Sequence, residues 1–236
     1  MKTILFQGDS ITDCGRYRKA TETKQNGIAF WRDGRLFKKI TALGDGYPAM
    51  VAAELKEKCP GKYKYINKGV SGDRIPDVYG RITRDIINLK PDYMSILVGV
   101  NDVWRVFDSG YGTGAARFEK IYNILLEELK EELPELKIII MAPFLIPGSA
   151  SANTPEEPDK SEKFKHGVEE MADITKRLAE KHGCAFIDLQ AMFDEAMKSI
   201  PAIQLSGDGV HPSAKGHELI KNEWLKAFEK LTEGEA

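Results

Sequence analysis

Thr3-Ile4-Leu5-Phe6-Gln7-Gly8-Asp9-Ser10 runs from a short β-favouring apolar segment directly into a glycine, an acid and a serine. This is the pattern of a strand that ends in a strand-to-helix turn. Four more short β-favouring runs follow, at Tyr63–Asn67, Tyr93–Val98, Lys137–Ala142 and Cys184–Asp188. Between them, Tyr47–Lys58, Ile75–Asn88, Ala115–Leu133 and Lys163–His182 space their apolar residues three and four apart, and Pro212–Leu231 closes the chain in the same way. The βαβα rhythm predicts strands joined by crossover helices, which must lie parallel with helices on both faces. The expectation is an open, doubly wound α/β sheet of about five parallel strands, without internal repeats.

Two stretches break the rhythm. Arg16–Gly44 contains Phe30, Trp31 and Phe37, and Pro143–Lys163 contains Pro147, Pro155 and Pro158. Each exceeds an ordinary connection and reads as a binding loop, lid or interface element. Pro155–Lys160 is the nearest thing to a linker but is too short to separate domains. Residues 1–236 are therefore read as one domain, long enough to bury about 70–75% of the unfolded surface in a single core.

A formal charge of −2, from 34 basic and 36 acidic residues mixed along the chain, leaves no basic stripe for phosphates or anionic lipid. No nucleic-acid or membrane partner is expected. Three cysteines, Cys14, Cys59 and Cys184, make no Cys-x-x-Cys pair, which argues against a disulfide framework or a zinc site. The apolar run after Lys2 is too short for a secretion signal, and no transmembrane run follows. A cytoplasmic, reducing location is expected.

The chemistry lies in four segments far apart: Gly8-Asp9-Ser10, Gly69-Val70-Ser71-Gly72, Gly99-Val100-Asn101-Asp102 and Asp208-Gly209-Val210-His211-Pro212. Each follows a predicted strand or precedes a helix, at the end of the sheet where loops converge in such folds. A serine hydroxyl needs a base before it can attack a carbonyl, and His211 is the candidate. Asp208 could hold the other imidazole nitrogen, Gly209 permits the tight excursion, and Pro212 would begin the following helix. The backbone N–H groups of Ser10 and Gly72, with the amide of Asn101, could receive the oxyanion of an acyl-transfer intermediate.

Each segment also has a plainer reading. Ser10 could cap a helix, Asn101 could end a strand, Gly69 is a turn residue, and Asp102 is best read as a cap. Trp104 is either a core aromatic or a wall of the substrate pocket. His166, His182 and His217 are read as surface histidines. A metal at Asp208 and His211 lacks a third ligand in the spacing. The conjunction of all four segments favours a serine esterase needing no cofactor.

These segments resemble the SGNH, or GDSL-type, hydrolases, and the resemblance spans nearly the whole chain. It implies Ser10 as nucleophile, Gly72 and Asn101 as oxyanion donors, His211 as base and Asp208 as its aspartate. The longer stretches 8–16, 67–72 and 99–105 look like bacterial intracellular acetylxylan esterases of that family. That likeness implies a three-layer, flavodoxin-like α/β/α fold, removal of O-acetyl groups from xylo-oligosaccharides and often a homo-oligomer. The rival readings are a lysophospholipase or thioesterase, a noncatalytic sugar-binding module, and a nucleotide-binding flavodoxin-like protein. The last lacks a glycine-rich phosphate fingerprint after the first strand.

Overall fold

The computed structural model describes residues 1–17 and 41–234, together with the backbone of two strands at 28–32 and 35–40. The chain begins with β1 (Lys2–Gly8), the single-turn helix α1 (Ser10–Asp13), and an antiparallel pair of strands, β2 (Ile28–Arg32) and β3 (Arg35–Ile40). It continues through α2 (Tyr47–Lys58), β4 (Tyr63–Asn67), α3 (Ile75–Tyr79), α4 (Ile82–Asp85), β5 (Tyr93–Leu97), α5 (Val100–Asp108) and α6 (Ala115–Glu132). The second half holds β6 (Lys137–Met141), α7 (Lys160–His182), β7 (Ala185–Ile187), α8 (Leu189–Met197), α9 (Ala202–Leu205) and α10 (Ala214–Leu231).

Five strands form one parallel sheet in the order β4-β1-β5-β6-β7. From β1 the chain moves outward to β4, then returns to the other side of β1 and proceeds to β7. That reversal, between β1 and β5, is the topological switch point where doubly wound sheets bind ligands. The register sets Phe6 beside Asn67 and Gly8 beside Leu97, so the segments after β1, β4 and β5 leave the sheet at one edge. α2 and α10 pack together on one face, and α3, α6 and α7 form the other layer.

The predicted architecture of five parallel strands between helical layers is what forms. β1 is anchored from one face by Phe6, whose ring lies 5.9 Å from Tyr47 of α2 and 5.4 Å from Trp224 of α10, all three fully buried. Truncating such a side chain costs about 3–5 kcal/mol. Phe6 lies only four residues before Ser10, so a fully buried aromatic cluster anchors the strand that leads into Ser10.

Several local expectations differ. Ile75–Asn88 does not run as one helix: α3 ends at Gly80, a poor helix former, and α4 restarts after Arg81. The last helix begins at Ala214 rather than Pro212, with the Ser213 hydroxyl accepting the Gly216 N–H at 3.2 Å. Pro212 instead forms an isolated antiparallel bridge with Ser206. Part of the Arg16–Gly44 stretch is the β2–β3 pair, while the side chains of Phe30, Trp31 and Phe37 lie outside the described residues. No helix among the described residues is long and apolar enough to cross a membrane.

Candidate active site

Asp9 is the N-cap of α1, its Oδ1 accepting the Ile11 N–H at 3.0 Å, and this places Ser10 in the first turn. The plainer alternative, Ser10 as the cap, is not what forms: the cap lies one residue earlier. First-turn N–H groups have no acceptor within their own helix, so the Ser10 N–H belongs to a set of donors at the sheet's edge. The Ser10 Oγ lies 2.9 Å from His211 Nε2, and His211 Nδ1 lies 2.6 Å from Asp208 Oδ2. Residues 201 positions apart in sequence thus meet in hydrogen-bond contact.

Protonation follows from the partners. Burial alone would raise the Asp208 carboxyl, but hydrogen bonds from the His211 ring and from the His211 and Val210 N–H groups outweigh it and hold it below the usual carboxylate range. An ionised Asp208 only accepts, so Nδ1 of His211 carries the ring proton and Nε2 presents its lone pair to the Ser10 hydroxyl. This is the tautomer a general base requires.

The loop carrying this pair is braced throughout. Asp208 Oδ1 accepts the N–H groups of Val210 and His211 at 2.9 and 2.7 Å. Gly209 adopts φ +92°, and a Cβ there would meet the Ile146 carbonyl oxygen at 2.3 Å. The Ile146 N–H donates to the Gly209 carbonyl at 3.0 Å, and the Ala150 N–H donates to the Asp208 carbonyl at 2.9 Å. The first part of the Pro143–Lys163 stretch is therefore a buttress for the Asp208–His211 loop rather than a lid.

The oxyanion candidates come from the flanking strands. Gly72, at φ +88°, sits in the loop after β4, and the nearest neighbour of a Cβ built on it would be an Arg105 guanidinium nitrogen at 3.6 Å. Asn101 lies in the first turn of α5, a helix that the sequence pattern was not read to predict, and so does not end the strand. Its Nδ2 donates to the Asp73 carbonyl at 3.1 Å, and its Oδ1 accepts from Arg105 Nη2 at 3.4 Å. These bonds fix which end of the amide is the donor, and they join the Gly72 loop to α5. Trp104 is half-buried, its ring 6.0 Å from both His211 and Phe164. It lines the site and also touches the core.

Asp102 does not cap its own helix. Fully buried, its carboxylate accepts the Ile75 N–H at the start of α3, and burial pushes its pKa up to about 7. Burial does the same to Asp9, also to about 7.

The model of the GDSL-like lipase/acylhydrolase family matches residues 6–219. The chain belongs to that family. It is 33% identical over 226 residues to an acetylxylan esterase of Geobacillus stearothermophilus, covering 94% of this chain and 92% of that one. The solved structure of that esterase superimposes with a TM-score of 0.76 at 32% identity, over 96% of this chain and 93% of that one. A GDSL-like lipase from Parabacteroides merdae gives a TM-score of 0.81 at 33% identity, over 96% and 94% of the two chains. Two other solved structures of the Geobacillus esterase are catalytic mutants, one with a serine and one with an aspartate replaced by alanine.

Two residues of this acylhydrolase escaped the sequence reading. Fully buried Ser206 accepts the Gly209 N–H at 2.8 Å, and its hydroxyl faces both Asp208 Oδ1 and the His211 carbonyl. The Ser206-x-Asp208 spacing is its only local signal. His217 is not a surface histidine: it packs under α1, Nδ1 accepting the Tyr47 N–H at 3.3 Å and Nε2 lying 3.6 Å from Cys14 Sγ. Burial lowers its pKa to about 4, so it is neutral and takes the place of a core side chain. His166 is exposed as expected, and His182 is half-buried against Asn123.

Proposed function

We propose that this acylhydrolase is a cofactor-free carbohydrate O-acetylesterase, acting on acetylated xylo-oligosaccharides through an acetyl-Ser10 intermediate in the cytoplasm. The observation that carries the reading is the Ser10–His211–Asp208 relay, with contacts of 2.9 and 2.6 Å. The choice of acetylated sugar rests on 33% identity to an acetylxylan esterase across nearly the full length of both chains. That enzyme's catalytic mutants change a serine and an aspartate, the residue types given these roles here at Ser10 and Asp208.

In this mechanism the Ser10 Oγ attacks the acetyl carbonyl carbon while its proton passes to His211 Nε2. Asp208 holds the imidazolium that results. The oxyanion faces the N–H groups of Ser10 and Gly72 and the Nδ2 of Asn101. The intermediate collapses as the imidazolium protonates the departing sugar oxygen. Water, losing a proton to the same nitrogen, then attacks acetyl-Ser10, and acetate is released as that proton returns to the Ser10 oxygen. Trp104, beside His211, forms the wall against which the sugar or the acetyl methyl rests.

The test is acetate release from a panel of acetylated xylo-oligosaccharides, acetylated cello-oligosaccharides and lysolipid, with aryl acetate and aryl octanoate in parallel. Turnover of acetylated xylo-oligosaccharides and aryl acetate, abolished in Ser10→Ala together with labelling by a phosphonate probe, is expected. Preference for octanoate or lysolipid would assign a lipase or thioesterase instead. Full activity in Ser10→Ala would end the proposal.

A further inference from the structure

Arg81, between α3 and α4, has a side chain only 10% exposed and directs its guanidinium at the ends of two strands rather than at solvent. Nε donates to Asp73 Oδ2 at 2.7 Å. Nη1 donates to the Lys68 carbonyl at 2.8 Å and to Asp85 Oδ2 at 3.1 Å. Nη2 donates to Gln7 Oε1 at 2.7 Å and to the Gly8 carbonyl at 3.3 Å. Five contacts match the five N–H groups of a guanidinium, so the whole rigid fork is committed.

The identity of the acceptors gives this cluster its meaning. Gln7 and Gly8 immediately precede Asp9 and Ser10, while Lys68 and Asp73 bracket the loop Gly69–Gly72. The Asp73 carbonyl in turn accepts from Asn101 Nδ2 at 3.1 Å. One planar group thus bridges the nucleophile's strand, both ends of the Gly72 loop and, one bond further, the Asn101 amide. The Asp85 carboxylate that completes the cluster is also held by Arg84 and Lys68, which outweigh its burial and draw its pKa down to about 2. Burying so many charges is costly, and an apolar cluster would fill the same space with less penalty.

We propose that Arg81 is a positioning residue for the oxyanion hole: its guanidinium fixes the Gly72 loop against the nucleophile strand and, through Asp73, sets the Asn101 amide. The inference rests on the esterase reading above, since it supposes that Gly72 and Asn101 receive an oxyanion. Lysine in place of Arg81 keeps the charge but cannot hold Asp73, Lys68 and Gly8 together in one plane. Asp73→Asn weakens the same link from the other side, by removing the charge that strengthens the bond from Arg81 Nε, and leaves the Asp73 carbonyl in place.

Arg81→Lys and Asp73→Asn are to be compared with wild type by steady-state kinetics on aryl acetate and by ¹H–¹⁵N spectra of the Gly72 N–H and Asn101 side-chain amide. Both variants are expected to lose roughly 10- to 100-fold in kcat with KM changed less than about twofold, as for an angstrom-scale misplacement of catalytic groups. Both pairs of resonances are expected to shift. Unchanged kcat in a folded variant, or a loss matching only the unfolded fraction with both resonances unmoved, overturns the proposal. Asp73→Asn decides the matter should Arg81→Lys not fold. A wild-type protein without Ser10-dependent turnover would defeat the esterase reading alone, because the spectra still report whether Arg81 sets these donors.

Discussion

The Ser206 hydroxyl lies 2.8 Å from the carbonyl oxygen of His211, five residues on, and so closes the loop that carries the imidazole. It also takes the Gly209 N–H and faces Asp208 Oδ1, so one buried oxygen braces three residues of the Asp208–His211 turn. Ser206→Ala would strand a buried N–H and free the loop. A stability loss of about 1–3 kcal/mol is expected from the unsatisfied donor, read from the urea midpoint. A fall in kcat with KM nearly constant is expected alongside it. Wild-type kcat in the folded variant would show that the carboxylate alone orients His211.

Asp208→Asn probes the tautomer. An asparagine Oδ1 can still accept from Val210 and His211, but its Nδ2 would face Nδ1 of the ring and turn that nitrogen into an acceptor. The ring proton then moves to Nε2, which can no longer take the Ser10 proton. Loss of kcat by about 10⁴ is expected, the cost known for this exchange in serine hydrolysis. Steady-state kinetics on aryl acetate measures this, and an Asp208→Asn variant that keeps wild-type kcat would dissociate Asp208 from the base.

The sheet was legible because each parallel strand is a short β-favouring run punctuated by turn residues, and each chemical motif abuts one. The misses have physical causes. α5 is absent from the predicted helices, although Val100, Val103, Trp104 and Phe107 recur at helical spacing, because its run is short and directly follows β5. Asp33-Gly34 between two β-favouring runs is a hairpin signal that could have announced β2 and β3. His217, Asp102 and Arg81 were unreadable for another reason. Their partners Tyr47, Ile75 and Gln7 come from distant segments, and only the folded sheet brings them together.

His217 makes stability depend on pH with a definite sign. Its pKa is about 4 in the folded protein against 6.5 as an ordinary histidine, so below 6.5 the unfolded chain binds a proton that the native state refuses. Its contribution is present above 6.5 and is lost as the pH falls toward 4, amounting to about 3 kcal/mol by the energy of a pKa difference. His217→Gln removes the ionisation while keeping an acceptor for the Tyr47 N–H. The gap in unfolding free energy between wild type and variant should therefore narrow or reverse between pH 7 and pH 4. Parallel urea titrations at those pH values measure it, and a constant gap would mean that the buried ring titrates normally.

Under the proposed mechanism, Asn101 separates electrostatics from packing in the oxyanion hole. Arg105 holds its Oδ1 and the Asp73 carbonyl takes one Nδ2 hydrogen, which leaves the second Nδ2 hydrogen to meet developing charge. Asn101→Ala removes the donor and a little buried volume, and a loss of roughly 10²–10³ in kcat is expected with KM little changed. Asn101→Asp retains the shape but sets a carboxylate where the oxyanion forms. If the amide acts by its charge distribution, Asp must be at least as damaging as Ala, despite filling the space better. The affinity of an aryl boronate, whose serine adduct is tetrahedral and negatively charged, should fall in the same order as kcat across the three proteins. Should Asn101→Asp instead approach wild-type turnover, the side chain matters here for its size, and the Ser10 and Gly72 N–H groups bear the oxyanion without it.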